Sequence, residues 1–125
     1  MEEDYEEKCK KILEINSIRF AALIDPSGKT LAGGLKQGLQ MKLGKDELDD
    51  VLKEIAIRVS KRKKHDNELG RVKYSASRRE DVVIMSFPIF DNSIVIVAEP
   101  NVNIDRISWQ IIQILGKQWS TFVGE

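Results

Sequence analysis

Few residues in this chain have the type and spacing that chemistry requires. Gly28-Lys29-Thr30 reproduces the last three residues of a phosphate-binding loop. That loop also needs a glycine five positions earlier, where Leu23 stands, and a helix afterwards, where the pattern is that of a strand. The tripeptide therefore reads as part of a turn. Gly33, Gly34 and Gly38 lack the spacing and the following helix of a dinucleotide fingerprint. One histidine (His65) and one cysteine (Cys9) do not make a structural zinc site of the usual kind. Cys9 falls on an apolar helical stripe and reads as a packed thiol, and His65 reads as the solvent-facing end of a helix. Asp46, Glu47, Asp49 and Asp50 crowd a helix start, where the dipole favours carboxylates. No catalytic residue, cofactor site or metal site is expected, and the chain reads as a non-enzyme.

Three features are instead suited to interaction. Segment 58–79 concentrates cations, among them Lys61, Arg62, Lys63, Lys64, Arg78 and Arg79, a candidate patch for an anionic partner. The alternative is a charged helix end and strand edge that discourage aggregation. Trp109 lies off the main apolar stripe of its helix. It either packs on the first helix, beside Gly116 and Ser120, or serves as an exposed anchor for a protein partner. The loop 34–44 carries Leu35, Leu39, Met41 and Leu43 among glycines, as a packed rim or as a lid.

The totals fit one domain spanning 1–125. The chain is 42% apolar and 32% charged, with 20 basic and 20 acidic residues and a net charge of zero. A neutral chain is a poor generic nucleic-acid binder and associates readily with itself. A single cysteine suits a reducing compartment, and the acidic start Met1-Glu2-Glu3-Asp4 lacks the features of a signal peptide. No apolar run reaches membrane-spanning length. A cytoplasmic protein is expected.

The elements that must position these residues follow from periodicity. Residues 3–15 carry Tyr5, Cys9, Ile12 and Leu13 on one helical face, with acid-first pairs Asp4–Lys8, Glu6–Lys10 and Glu7–Lys11. The run 18–24 reads as a strand, Asp25-Pro26-Ser27-Gly28 as a type I turn, and 29–33 as the return strand. Helix 45–65 shows Leu48, Val51, Leu52, Ile55 and Val59 at helical spacing. Strands follow at 71–77, 82–87 and 94–99. A last helix, capped by Asn103 or Asp105, runs to about Phe122. Strands 20–24, 82–85 and 94–98 are apolar on both faces, as in a sheet covered on both sides. Arg71-Val72-Lys73-Tyr74-Ser75-Ala76-Ser77 alternates, and 29–34 is short and glycine-rich, so both are placed at edges. The order αββαβββα predicts an α/β (α+β) fold. Its antiparallel sheet is ordered 2-1-5-4-3, with the second helix on one face and the other two on the opposite face.

The stretch Phe20-Ala21-Ala22-Leu23-Ile24-Asp25-Pro26-Ser27-Gly28-Lys29-Thr30-Leu31-Ala32 resembles the opening of roadblock/dynein light-chain domains. The element order resembles that family over nearly the whole chain. Profilin, longin and PAS-type domains share the strand order. The runs Met85-Ser86-Phe87-Pro88 and Val97-Ala98-Glu99-Pro100 also resemble an uncharacterised archaeal family. The roadblock resemblance implies a homodimer through the third strand and second helix, acting as a scaffold or small-GTPase regulator. The candidate dimer edge is then Arg71, Val72, Lys73, Tyr74, Ser75, Ala76 and Ser77. Two other readings stand beside it: a sensor holding a small ligand between the sheet and helix 45–65, and nucleic-acid binding through 58–79.

Overall fold

A computed structural model describes residues 4–38 and 43–116. The elements are helix α1 (Tyr5–Leu13), strands β1 (Ile18–Ile24) and β2 (Thr30–Leu35), helix α2 (Lys45–Arg62), a 3-10 turn (Lys63–His65) and a one-turn helix α3 (Asp66–Leu69). Strands β3 (Ser75–Arg78), β4 (Val83–Ile89) and β5 (Asn92–Ala98) follow, then helix α4 (Ile104–Leu115). The sheet is antiparallel and ordered β2-β1-β5-β4-β3, as the strand patterns predict.

Alternation along the three central strands builds two cores. Ala21, Leu23, Met85, Phe87, Ile94 and Ile96 point to one face, where Cys9 and Ile12 of α1 and Ile107, Ile111 and Leu115 of α4 cover them. Phe20, Ala22, Ile24, Val95 and Val97 point to the other, under Leu52 and Ala56 of α2. Double covering explains why these strands are apolar at successive positions.

One irregularity links the two cores. Ile18 pairs with Ala98 and Phe20 with the adjacent Val97, so Arg19 is an extra residue in β1. Such a bulge shifts the alternation by one position. Ile18 belongs to the α1/α4 side and Phe20 to the α2 side. Arg19 is re-aimed to bond the carboxylate of Glu99.

Several boundaries differ from the sequence expectation. The first helix covers 5–13 rather than 3–15, capped by the Asp4 carboxylate, which accepts from the Glu7 amide at 3.1 Å. Lys8 and Glu6 of this helix also reach beyond it. Lys8 donates to the carbonyls of Ile114 and Leu115, and Glu6 accepts from the Gly33 amide at 3.1 Å. The return strand extends through Gly33 and Gly34 to Leu35. At Gly33 a Cβ would sit 2.2 Å from the Ala21 carbonyl oxygen and φ is +81°, so only glycine fits. Helix 45–65 is α-helical to Arg62, tightens into the 3-10 turn, and is followed by α3.

The edge strand is shorter than the alternating run 71–77. The ladder begins at Ser75, which pairs with Ser86, and Arg71, Val72, Lys73 and Tyr74 precede it without strand pairing. Pro88 gives the reason. Ile89 and Asn92 face each other across a two-residue turn and bond one another, so Pro88 faces β3, where it has no N–H to donate. The Tyr74 ring instead lies 5.6 Å from that of Phe87, and its hydroxyl donates to Asp105 at 3.3 Å. The last helix starts at its expected cap, Asn103, which accepts from the Arg106 amide at 3.0 Å, and closes at Gly116 (φ +95°). Leu39, Met41, Trp119, Ser120 and Phe122 lie outside the described residues.

Candidate functional site

Helix α2 packs over the sheet against β5 and β4, covering Phe20, Ala22 and Ile24 of β1 as well, and leaves part of the strip above β4 and β3 open. A groove of about 850 Å³ runs along this strip. Ile84, Ser86, Val95 and Val97 line it from the sheet, Leu48, Val51, Ile55, Arg58 and Arg62 from α2, and Ser75, Ala76 and Ser77 from the edge strand. Helical spacing places Leu48, Val51, Ile55, Arg58 and Arg62 on one side of α2, apolar in its first half and cationic at its end. On the sheet side, Ile84 is half-buried and Ser86 is buried. A residue with a short side chain at 86 keeps this part of the groove low.

Charges of both signs rim it. Arg19 is bonded to Glu99 at the end opened by the bulge, and this bond holds the Glu99 carboxyl below the usual carboxylate range. Arg58 is paired with Glu54 one turn earlier on α2, at 3.3 Å. Arg62 donates to the Ser75 hydroxyl at 2.7 Å and so ties the end of α2 to the start of β3. Arg79, Glu80 and Asp81 line the groove beyond the far end of β3. The outer edge of β3, turned away from β4, ends the sheet.

The structure brings together only part of what the sequence singled out. Ser75, Ala76 and Ser77 lie on the sheet edge beside the groove, whereas Arg71, Val72, Lys73 and Tyr74 lead into it as non-ladder chain. The cations of 58–79 do not form one patch. Arg62 and Arg79 line the groove, Lys63 donates to the Phe90 carbonyl at 2.9 Å, and Lys61 and Lys64 are exposed. Arg78 turns to the start of α4, where it bonds the carbonyls of Pro100 and Val102. Trp109, on α4, is 54% exposed. Gly28-Lys29-Thr30 leads from a turn into the first residue of β2, and that turn is closed on the Asp25 carboxylate by the Ser27 hydroxyl (2.6 Å) and the amides of Ser27 (2.9 Å) and Lys29 (3.0 Å). These bonds, led by that from Ser27, hold Asp25 below the usual range.

Cys9 is fully buried against Gly33, and burial, aided by the Glu6 charge, pushes its thiol up to about 11. A thiol held neutral is a poor nucleophile. Among the described residues, no group of three or more His, Cys, Asp or Glu is placed to hold a metal ion, and no helix is long and apolar enough to cross a membrane.

Two features were missed by sequence reasoning. The bulge at Arg19 leaves no pattern in an apolar strand with a single charged residue near its start. The exposed Phe90 did leave a signal, since Phe90-Asp91 forms a two-residue turn without the glycine or asparagine such turns prefer.

Comparison with solved structures supports the architecture. The chain is similar to a Roadblock/LC7 domain from Streptomyces avermitilis, with a TM-score of 0.68 and 9% identity, over 98% of this chain and 100% of that one. It is similar to MglB of Myxococcus xanthus, with a TM-score of 0.68 and 8% identity, over 96% and 95% of the two chains. It is also similar to an MglB structure with a tetrameric arrangement, with a TM-score of 0.62 and 17% identity, over 91% and 92%. These likenesses establish a roadblock-like fold. No curated protein matches the chain in sequence. Over residues 1–125 the chain matches a family model described as "Family of unknown function (DUF6659)", and it belongs to that family.

Proposed function

We propose that this chain is a non-enzymatic scaffold or regulatory module of the cytoplasm that works as a homodimer and through contacts with other proteins. The groove between α2 and the β3–β4 strip, lying beside the free edge of β3, carries this reading. A free strand edge offers unpaired backbone groups, and an apolar strip next to it offers area to bury. A second copy related by a two-fold axis pairs Ser75, Ala76 and Ser77 with their own counterparts and brings the two α2 helices together over the grooves. Arg and acidic residues share the rim, so the surface complements itself in charge. The roadblock resemblance supports the same arrangement and adds a small GTPase as one class of partner.

The mass of the chain in solution, measured by sedimentation equilibrium across a range of concentrations, tests the reading. A dimer is expected. Ala76→Pro, which removes a backbone donor from the edge, is expected to weaken it by roughly tenfold or more. A monomer at all concentrations overturns the proposal.

The groove also favours a second reading, a sensor that holds a small ligand between α2 and the sheet. Its volume falls within the range of small-molecule sites, and Ser75, Ser77 and Ser86 supply hydroxyls. The two readings separate by competition: a ligand in the groove blocks the dimer, whereas a purely structural groove is filled by the second copy. Nucleic-acid binding through 58–79 has less support, because its cations are spread over several faces.

A further inference from the structure

We propose that the end of the molecule formed by the β4–β5 turn and the chain after α2 docks on anionic lipid bilayer surfaces, with Phe90 as the inserting side chain. Phe90 breaks two local preferences at once. It is the only non-glycine residue with positive φ (+54°) among the described residues, at the first position of a two-residue turn where glycine is favoured. Its ring is also 79% exposed, so packing among the described residues does little to offset that strain. A position that is both strained and exposed points to a role outside the fold.

The surroundings indicate what the ring meets. Lys63 donates to the Phe90 carbonyl at 2.9 Å, which fixes the turn against the end of α2. Lys61, Arg62, Lys63 and Lys64 are consecutive there and exceed the nearby acids Asp66, Glu68 and Asp91, the last of which lies 3.9 Å from the Lys63 ammonium. Leu69, six residues beyond Lys63, is 82% exposed on α3. An exposed phenylalanine held by a lysine at its carbonyl, with an exposed leucine on the helix that follows the same cationic run, matches an interface whose headgroups are anionic and whose interior is apolar. The exposed leucine argues against nucleic acid, which offers stacking to rings but nothing to an aliphatic chain. The convex shape of a two-residue turn suits a surface that can be penetrated rather than a protein pocket.

Cosedimentation of the full chain with phosphatidylcholine vesicles, with and without about 30% phosphatidylserine, tests the proposal at moderate salt, where lysine–headgroup attraction persists. Binding is expected only to the vesicles containing phosphatidylserine. Phe90→Gly suits the positive φ and keeps the fold. It is expected to lower the bound fraction's partition coefficient about tenfold, with thermal unfolding at or above the parent temperature. Lys61→Glu with Lys64→Glu is expected to abolish binding. Equal binding to both vesicles, no binding to either, or undiminished binding by Phe90→Gly overturns the proposal. So does tight binding to duplex DNA or an acidic polypeptide without vesicle binding. These readouts do not depend on whether the chain is a monomer or a dimer.

Discussion

The ammonium of Lys8 donates to the backbone carbonyl of Leu115 at 2.9 Å, joining residues 107 positions apart. It reaches the Ile114 carbonyl at 3.3 Å as well, so a lysine of α1 closes the C-terminal end of α4. The last carbonyls of a helix have no partner within it, and a cation there also meets the negative end of the dipole. Lys8→Met is expected to lower unfolding free energy by about 1–2 kcal/mol, read from urea midpoints. An unchanged midpoint refutes the role.

Gly33 sets the approach of β2 to β1. In Gly33→Ala the new methyl meets the Ala21 carbonyl oxygen at 2.2 Å and has Cys9 Sγ behind it at 2.9 Å, with φ at +81°. The expected cost is about 2–4 kcal/mol. Gly70→Ala opens to empty space, and its cost, about 1–3 kcal/mol, comes from the backbone alone, since φ +84° with ψ 165° is a region essentially kept for glycine. Comparing the two by denaturant unfolding separates collision from backbone strain.

The buried thiol makes stability fall in alkali. Its folded pKa, about 11, stands above its ordinary value of 9.0. Below pH 9 both folded and unfolded chains hold the proton, and the thiol contributes no pH dependence. As pH rises from about 9 to about 11 the unfolded chain releases the proton first, and stability drops by up to about 1.4 kcal/mol per pH unit. Cys9→Ala is expected to flatten the urea midpoint over that window. A parallel decline in the variant contradicts the assignment.

Asp25 acts at the acid end. Its folded pKa is depressed, foremost by the Ser27 hydroxyl. Its contribution is therefore complete above the ordinary carboxylate range and is lost as pH falls through the folded value. Asp25→Asn is expected to reduce the acid dependence of unfolding between about pH 5 and pH 2 while leaving the fold intact. Because the carboxylate is exposed, the effect is small and is best read as a slope rather than a midpoint.

Most of the architecture was legible because burial repeats at simple periods. Residues such as Val95, Ile96 and Val97 are apolar in succession because each face of β5 has its own cover, and that pattern requires a doubly covered central strand. The first four residues of the alternating edge failed for a non-local reason. The ladder before Ser75 is limited by Pro88, on another strand, and no reading of Arg71–Tyr74 alone reveals it. Trp109 was ambiguous because an off-stripe aromatic satisfies either packing or exposure until the position of α1 is known. The groove was hidden for a related reason. Leu48, Val51 and Ile55 look like ordinary core positions, and only the way α2 lies across the sheet, short of the β3 edge, leaves part of their surface uncovered. The cations of 58–79 are contiguous in sequence but diverge in space, since the chain there passes from helix through two turns into an edge strand.

The extra residue in β1 ties the fate of the two cores together. Because Ile18 and Phe20 lie two residues apart yet serve opposite layers, the backbone at Arg19 cannot slip without withdrawing a side chain from one core and misplacing its neighbour in the other. Deleting this single residue would instead remove the bulge, leaving Ile18 and Phe20 as neighbours that alternate onto their own two layers, and would forfeit only the Arg19–Glu99 bond. Melting on one side therefore propagates to the other through the strand itself, and the molecule is expected to lose both layers in one cooperative transition rather than shed them in sequence.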